Sequence, residues 1–260
     1  MQNAEHTIMP LIPSSQPGPA RVWAARVQAR AATCAGWLGE ALYPSHCGLC
    51  LAPGPAICAG CQTDLPPLEH PCPTCALPLP VAGVCPACVR RPPVLDALHA
   101  GWAYAWPLDQ LILAYKHGAS VRAERILAAL AQEVAERRLH QGPDRPDLVI
   151  PVPLHGRRLR ERGFNQSDEL ARRVARVMGT SLEVHGLRRV RATESQQALG
   201  RKARRRNVSG AFAWDGPDLD GRHVLVVDDV ATTGATLEAL AGVLRRAGAA
   251  RVEGLVLARA

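Results

Sequence analysis

The 260-residue chain is expected to fold as an α/β protein, a parallel sheet with helices on both faces, behind a small cysteine-rich unit. Aliphatic runs such as DLVI (147–150), HVLVVDD (223–229) and VEGLVLA (252–258) alternate with amphipathic stretches. Such alternation builds parallel sheets covered on both sides. Four C-x2-C pairs crowd residues 43–92, where Pro and Gly are frequent and long aliphatic runs are missing. That segment needs metal or a neighbour in place of a core. Hydrophobic residues make up 47% of the chain and aromatics only 4%, so Ala, Val and Leu must fill the interior. No stretch of about 18 apolar residues occurs, which excludes a transmembrane helix. The opening MQNAEHTIMP has no basic region followed by an apolar run. A secretory signal is not expected, and the location reads as cytoplasmic.

The elements follow in order. Residues 1–19 hold Pro10, Pro13, Pro17 and Pro19 with Ser14, Ser15 and Gly18, a composition expected to stay disordered. Residues 20–42 set Val22, Trp23, Val27, Cys34, Trp37, Leu38 and Leu42 at roughly helical spacing, so a helix with one packed face is expected. A membrane-surface helix is the alternative there. Residues 43–92 form the cysteine-rich unit and 93–260 the α/β domain. ALHAGWAYAW (97–106) has the aromatics of a strand. Leu108, Leu111, Ile112 and Tyr115 start a helix that Gly118 stops, and a second helix covers about 120–138. QGPDRP (141–146) turns into the DLVI strand. A helix over about 166–178 carries Leu170, Val174, Val177 and Met178 on one face, with Gly179 beyond its end. Leu182 with Val184 makes a short strand, VSGAFAW (208–214) another, and a helix over about 235–247 ends at Gly248.

Eight of the nine cysteines form the pairs Cys47/Cys50, Cys58/Cys61, Cys72/Cys75 and Cys85/Cys88. The unit repeats: Cys72 and Cys75 lie 25 residues beyond Cys47 and Cys50, and Cys85 and Cys88 lie 27 beyond Cys58 and Cys61. In a chain without a secretory signal such pairs read as metal ligands rather than disulfides. Each C-x2-C knuckle turns two thiolates to one side, and two knuckles complete a tetrahedral zinc site. Two structural zincs are therefore expected, one on Cys47, Cys50, Cys58 and Cys61, the other on Cys72, Cys75, Cys85 and Cys88. An interleaved pairing, first pair with third, is the alternative. Eight thiolates leave no open position for catalysis at zinc. His46 and His70 read as bystanders, and Cys34 as a small apolar residue on its helix.

The densest signal is VLVVDDVATTGATL, residues 224–237. A buried strand leads to two adjacent acids, Asp228 and Asp229, expected to face solvent at its end. A loop of small and hydroxyl residues, Val230, Ala231, Thr232, Thr233, Gly234, Ala235 and Thr236, then opens a helix. A helix start offers unpaired N–H groups and partial positive charge. Small residues let a phosphate approach them, and the threonines add hydroxyl donors. Two carboxylates beside that cradle suit vicinal sugar hydroxyls. The residues read as a site for a ribose 5-phosphate.

Asp228 to Thr236 resembles the phosphoribosyl pyrophosphate (PRPP) motif of type I phosphoribosyltransferases. The chain from Cys47 to Arg259 resembles the ComF family, which joins a cysteine-rich zinc ribbon to a phosphoribosyltransferase domain. The cysteine pairs, PLDQLILAYKHGA (107–119), PDLVIPVPLHGRRLRERGFNQ (146–166), RVRATESQQALGRKARRRNVSGAF (189–212) and the PRPP motif carry the likeness. The resemblance implies a type I phosphoribosyltransferase-like sheet behind a double zinc ribbon. Asp228 and Asp229 would hold the ribose hydroxyls and residues 230–236 the 5-phosphate. A pyrophosphate loop would comprise Val152, Pro153, Leu154, His155 and Arg157, with Arg158 and Arg160 adding charge. Magnesium would come with PRPP.

The balance of 31 Lys+Arg against 23 Asp+Glu suits polyanions. Arg189, Arg191, Arg201, Arg204, Arg205 and Arg206 fall in one basic stretch, a lid over PRPP or a contact for nucleic-acid phosphates. That stretch contains no Phe, Tyr or Trp, which speaks against base stacking from it alone. The resemblance implies a role in natural competence or DNA utilisation, with PRPP or a ribose-5-phosphate nucleotide, single-stranded DNA and other DNA-uptake proteins as partners. An active nucleobase phosphoribosyltransferase of salvage and a PRPP-sensing module without turnover are the alternatives.

Overall fold

The computed structural model describes residues 46–116, 120–142, 144–191, 208 and 210–260. The expected lead-in and N-terminal helix, Cys34 included, lie outside the described residues, as do Arg201, Arg204, Arg205 and Arg206. Residues His46–Ala260 form one compact unit. Within it the sheet runs β1 (Ala97–Ala103), β7 (Arg251–Arg259), β6 (His223–Ala231), β2 (Leu148–Pro151), β3 (Ser181–Leu182), all parallel. A separate antiparallel pair, β4 (Leu187–Arg189) and β5 (Phe212–Trp214), stands outside it. The strand expected over 208–214 is thus shorter and leaves the main sheet. Val184 likewise falls outside β3.

Side-chain alternation assigns the two faces. On β6, Leu225 and Val227 join one core while Val224 and Val226 join the other. On β7, Leu255 and Leu257 face the first core and Val252 and Val256 the second. The first face is covered by α3 (Leu108–Lys116), α4 (Val121–Gln141) and α6 (Gln166–Met178), through Ile112, Ile126, Leu127, Leu130, Leu170 and Met178. The second is covered by α7 (Ala235–Arg246), through Leu237, Leu240 and Leu244. Burying each such leucine stabilises the fold by about 1.5–3 kcal/mol relative to exposure. Helix α4 runs three residues beyond its expected end, and Leu139 in that extension still packs against the first core.

The cysteine-rich segment carries two short helices, α1 (Ala59–Thr63) and α2 (Pro86–Arg90). Ile57 and Leu65, from its first half, are buried in the core of the first sheet face. A side chain at Gly48 would meet Ile126 of α4 at 2.4 Å, so only glycine lets this knuckle lie so close. The second half adds Ala76 to the core of the other face. The two knuckle units therefore brace opposite sides of one sheet. Among the described residues no helix is long and apolar enough to cross a membrane.

At the amino ends of the strands, Glu253 of β7 is 1% exposed and gathers cations. Arg138 donates from Nε at 2.8 Å and from Nη2 at 3.2 Å. His99 of β1 lies 3.1 Å away, His223 of β6 lies 3.6 Å away, and Arg251 reaches it at 2.5 Å. Burial works to raise this carboxyl, but the nearby His223 ring and hydrogen bonds with His99 and Arg138 override it and hold it far below the usual glutamate range.

Candidate functional site

A cavity of about 320 Å³ opens at the carboxyl ends of β2 and β6, the end where open parallel sheets bind ligands. It lies at the small end of the range for small-molecule pockets. One wall is Asp228 to Leu237, which covers the end of β6, the loop and the first turn of α7. Strand β6 continues through Val230 and Ala231, which pair with Ala258 and Arg259. The loop is thus Thr232, Thr233 and Gly234, shorter than the sequence suggested. Gly234 occupies the N-cap of α7 at φ 72°, and no side chain caps that helix at its N-cap position. Left-handed backbone there favours glycine. Thr233 Oγ1 accepts from the Ala235 N–H at 3.3 Å.

The opposite wall is Val152, Pro153 and Leu154 with Arg158 and Arg162. The chain after Val152 was expected to be a loop, and it becomes helix α5 (Gly156–Arg162). This moves two expected site residues. His155 caps the helix, its ring Nδ1 accepting from the Arg157 N–H at 3.2 Å. Arg157 is 78% exposed and pairs with Glu161. The cavity receives Arg158 and Arg162 instead, a one-sided spacing of four residues on α5. Arg160 belongs to the last turn of α5 and is not part of the lining. Asn165 ties the region together: its Nδ2 donates to the Val152 carbonyl at 3.1 Å and to Asp168 at 2.5 Å.

The acids differ from expectation too. Asp229 is only 6% exposed, and its Oδ2 pairs with Lys116 Nζ at 3.0 Å. Lys116 ends α3, whose Tyr115 packs on Phe164 at 5.5 Å between ring centres and donates to the Gln166 carbonyl at 3.4 Å. Asp228 Oδ1 accepts from the Ser167 hydroxyl at 2.9 Å and from the Asp229 N–H at 2.9 Å. Burial, and then the charge of Asp229, push the Asp228 carboxyl up to about 7. Two carboxylates this close resist ionising together, and Lys116 partly offsets that repulsion. Arg189 of β4 completes the ring of cations, its guanidinium 5.4 Å above the Phe212 ring. Arg191 is exposed on the chain beyond β4 and outside the lining.

Sequence reasoning missed Lys116, Arg162, Gln166, Ser167 and Tyr104, all of which line the cavity. Gln166 is 2% exposed, and its Nε2 has no hydrogen-bond partner. A buried donor left open toward a cavity is expensive without a ligand oxygen or water. The signal for Arg162 and Gln166 was present in the Arg-Gly-Phe-Asn-Gln stretch.

The eight cysteines gather in sequential order. The Sγ atoms of Cys47, Cys50, Cys58 and Cys61 lie within 4.8 Å of one another, as do those of Cys72, Cys75, Cys85 and Cys88. Cys50 to Cys58 and Cys75 to Cys85 are both 3.6 Å, near the roughly 3.8 Å separation that a tetrahedral Zn–S site of about 2.3 Å bonds implies. Burial works to raise Cys47 and Cys72, yet backbone N–H groups, including those of Cys58 and Cys85, bring each thiol down to about 6. A hydrogen bond donated to Cys50, with burial, pushes Cys61 up to about 12. Four thiols so close cannot all ionise alone, and a dication at the centre removes that conflict. The donor set fits a structural four-thiolate metal site, zinc included. His46 and His70 belong to neither cluster.

A family model for the Phosphoribosyl transferase domain matches residues 118–260. The DNA utilization protein YhgH of Salmonella typhimurium is 37% identical over 225 residues, covering 83% of this chain and 97% of its own. Competence protein F of Haemophilus influenzae is 33% identical over 78% of this chain and 90% of its own. Competence protein ComFC of Bacillus subtilis is 28% identical over 80% and 86%.

Proposed function

We propose, since this chain belongs to the ComF family of cysteine-rich proteins with a phosphoribosyl transferase domain, that its cavity binds PRPP or a ribose-5-phosphate nucleotide in the service of DNA utilisation or competence. One observation carries the reading: an acid pair, the glycine-led start of α7 and four cationic side chains, Lys116, Arg158, Arg162 and Arg189, surround a single cavity. The 5-phosphate would lie against the N–H groups opening α7 and the hydroxyls of Thr232, Thr233 and Thr236. Asp228 and Asp229 would accept from the ribose hydroxyls. Arg158, Arg162 and the open Gln166 Nε2 would donate to the pyrophosphate. Asp228 and Asp229 would help to hold magnesium, which would supply positive charge to neutralise the pyrophosphate. Single-stranded DNA would meet the cationic rim through its phosphates. A cytoplasmic location accords with this chemistry.

Titration with PRPP and magnesium, followed by a pyrophosphate assay with candidate bases, tests the reading. Binding without pyrophosphate release would identify a sensing module. Absence of binding would refute the site. The raised Asp228 makes a further demand. A carboxyl half-protonated near pH 7 is a poorer acceptor, so affinity for ribose 5-phosphate is expected to rise between about pH 6 and 8 as Asp228 loses its proton. Asp228→Asn should flatten that part of the profile and leave the part due to the ligand's own phosphate. Identical profiles in parent and variant would remove Asp228 from the site.

The cysteine clusters are proposed to hold two zinc ions per chain. Purified protein should give a metal ratio near two, and a ratio near one would overturn the two-site assignment. Chelation should disorder the knuckles while the helices α4, α6 and α7 persist, read as retained far-ultraviolet circular dichroism.

A further inference from the structure

We propose that Arg259 makes the phosphate loop depend on the metal of the second cysteine cluster and not on that of the first. Arg259 lies near the end of β7 and is 4% exposed. Its Nε donates to the carbonyl of Cys75, a member of the second cluster, at 2.9 Å. Its Nη1 donates to the carbonyl of Ala231 at 3.1 Å and also to that of Thr232. Those carbonyls belong to the stretch whose following N–H groups open α7. One rigid guanidinium therefore bridges a knuckle and the loop. Cys75 and Arg259 also border a groove of about 500 Å³ that shares Thr233, Gly234 and Ala235 with the main cavity.

The coupling is one-sided by construction. The carbonyl of Cys75 is held only as long as its own thiolate, and those of Cys72, Cys85 and Cys88, keep the knuckle closed. Loss of that metal frees the carbonyl and withdraws one acceptor from a buried cation, which must then move or take up water. Its Nη1 contacts to Ala231 and Thr232 move with it. The first cluster packs against α4 through Gly48 and against the other sheet face through Ile57 and Leu65. It has no hydrogen bond to the loop among the described residues. Arg259 is thus a positioning residue for the loop, and the coupling is reciprocal: ligand on the loop should hold the second metal.

The ligand part of this inference rests on the phosphate-site reading; the structural part does not. Hydrogen exchange of the segment 228–237 should be compared in the metal-loaded parent, in Cys47→Ser/Cys50→Ser, in Cys85→Ser/Cys88→Ser and in Arg259→Met. Faster exchange is expected in the last two and parental exchange in the first pair. Adding Arg259→Met to Cys85→Ser/Cys88→Ser should change little more, since one link is cut twice. Ribose 5-phosphate affinity should fall about 5- to 150-fold in the same two variants. The ligand should also slow chelator-driven loss of one of the two metals in the parent but not in Arg259→Met. Equal exchange in all proteins, or equal loosening from the first cluster, would overturn the coupling. Failure of ribose 5-phosphate to bind the parent, with the exchange pattern as expected, would refute the phosphate reading and leave the coupling standing.

Discussion

Asp229→Ala is expected to abolish stabilisation by PRPP and magnesium. At a ligand concentration of about 100 times Kd the parent should gain about 2.7 kcal/mol, or about 5–11 °C in melting temperature for a domain of this size. The variant should gain nothing, because it loses an acceptor for the sugar and also the partner of Lys116. That amine, 25% exposed in its side chain and 3.0 Å from Asp229, would be left beside Asp228 alone. The unliganded protein should therefore lose about 1–3 kcal/mol as well. Asp229→Asn should lose the ligand effect while keeping more of the fold. Differential scanning fluorimetry across a PRPP series reads both terms. A full ligand shift in either variant would show that the sugar does not reach this acid.

The second large effect lies at the other end of the sheet. Glu253→Ala should cost about 3–5 kcal/mol, since it strands Arg138, buried to 5% side-chain exposure, among His99, His223 and Arg251. A fall of about 6–20 °C in melting temperature corresponds to that loss. The pH dependence has a definite sign. The folded carboxyl binds a proton more weakly than the unfolded one, whose ordinary value is about 4.5. Its contribution is complete above that value and declines as pH falls below it. The stability gap between parent and Glu253→Gln, from urea unfolding, should therefore narrow between about pH 5 and 3. A gap that widens on acidification would contradict the assignment. Asp228 acts in the opposite sense: its folded value is raised, so its effect on stability becomes less favourable as pH climbs from about 4 through 7.

Much of this was legible in the chain. DLVI, HVLVVDD and VEGLVLA are continuous apolar runs because parallel strands are buried on both faces, and they became β2, β6 and β7. Leu170, Val174 and Met178 marked the buried face of α6, and the 25- and 27-residue offsets marked the cysteine units. What escaped was set by tertiary contact. A run of arginines after Pro153 carries no apolar periodicity, so α5 left no trace, and with it went the knowledge that Arg158 and Arg162 share a face. Lys116 sits 113 residues from Asp229, and the burial of Leu108, Ile112 and Tyr115 of α3 in the first core brings them together. Asp229 read as exposed because charge usually is; its burial follows from that distant amine.

Among the described residues strand β1 has a single neighbour, β7, and their pairing joins residues as far apart as Ala97 and Glu253. During synthesis, then, β1 leaves the ribosome about 150 residues ahead of β7, which takes of the order of ten seconds at typical elongation rates. The cysteine knuckles, closed by loops of a few residues, can form at once. For that interval the nascent chain carries closed cysteine knuckles and an unpaired apolar strand. Closure must wait for a contact of very long range along the chain, the kind that slows folding most. Chaperone demand should therefore be highest late in translation and should fall abruptly once β7 emerges.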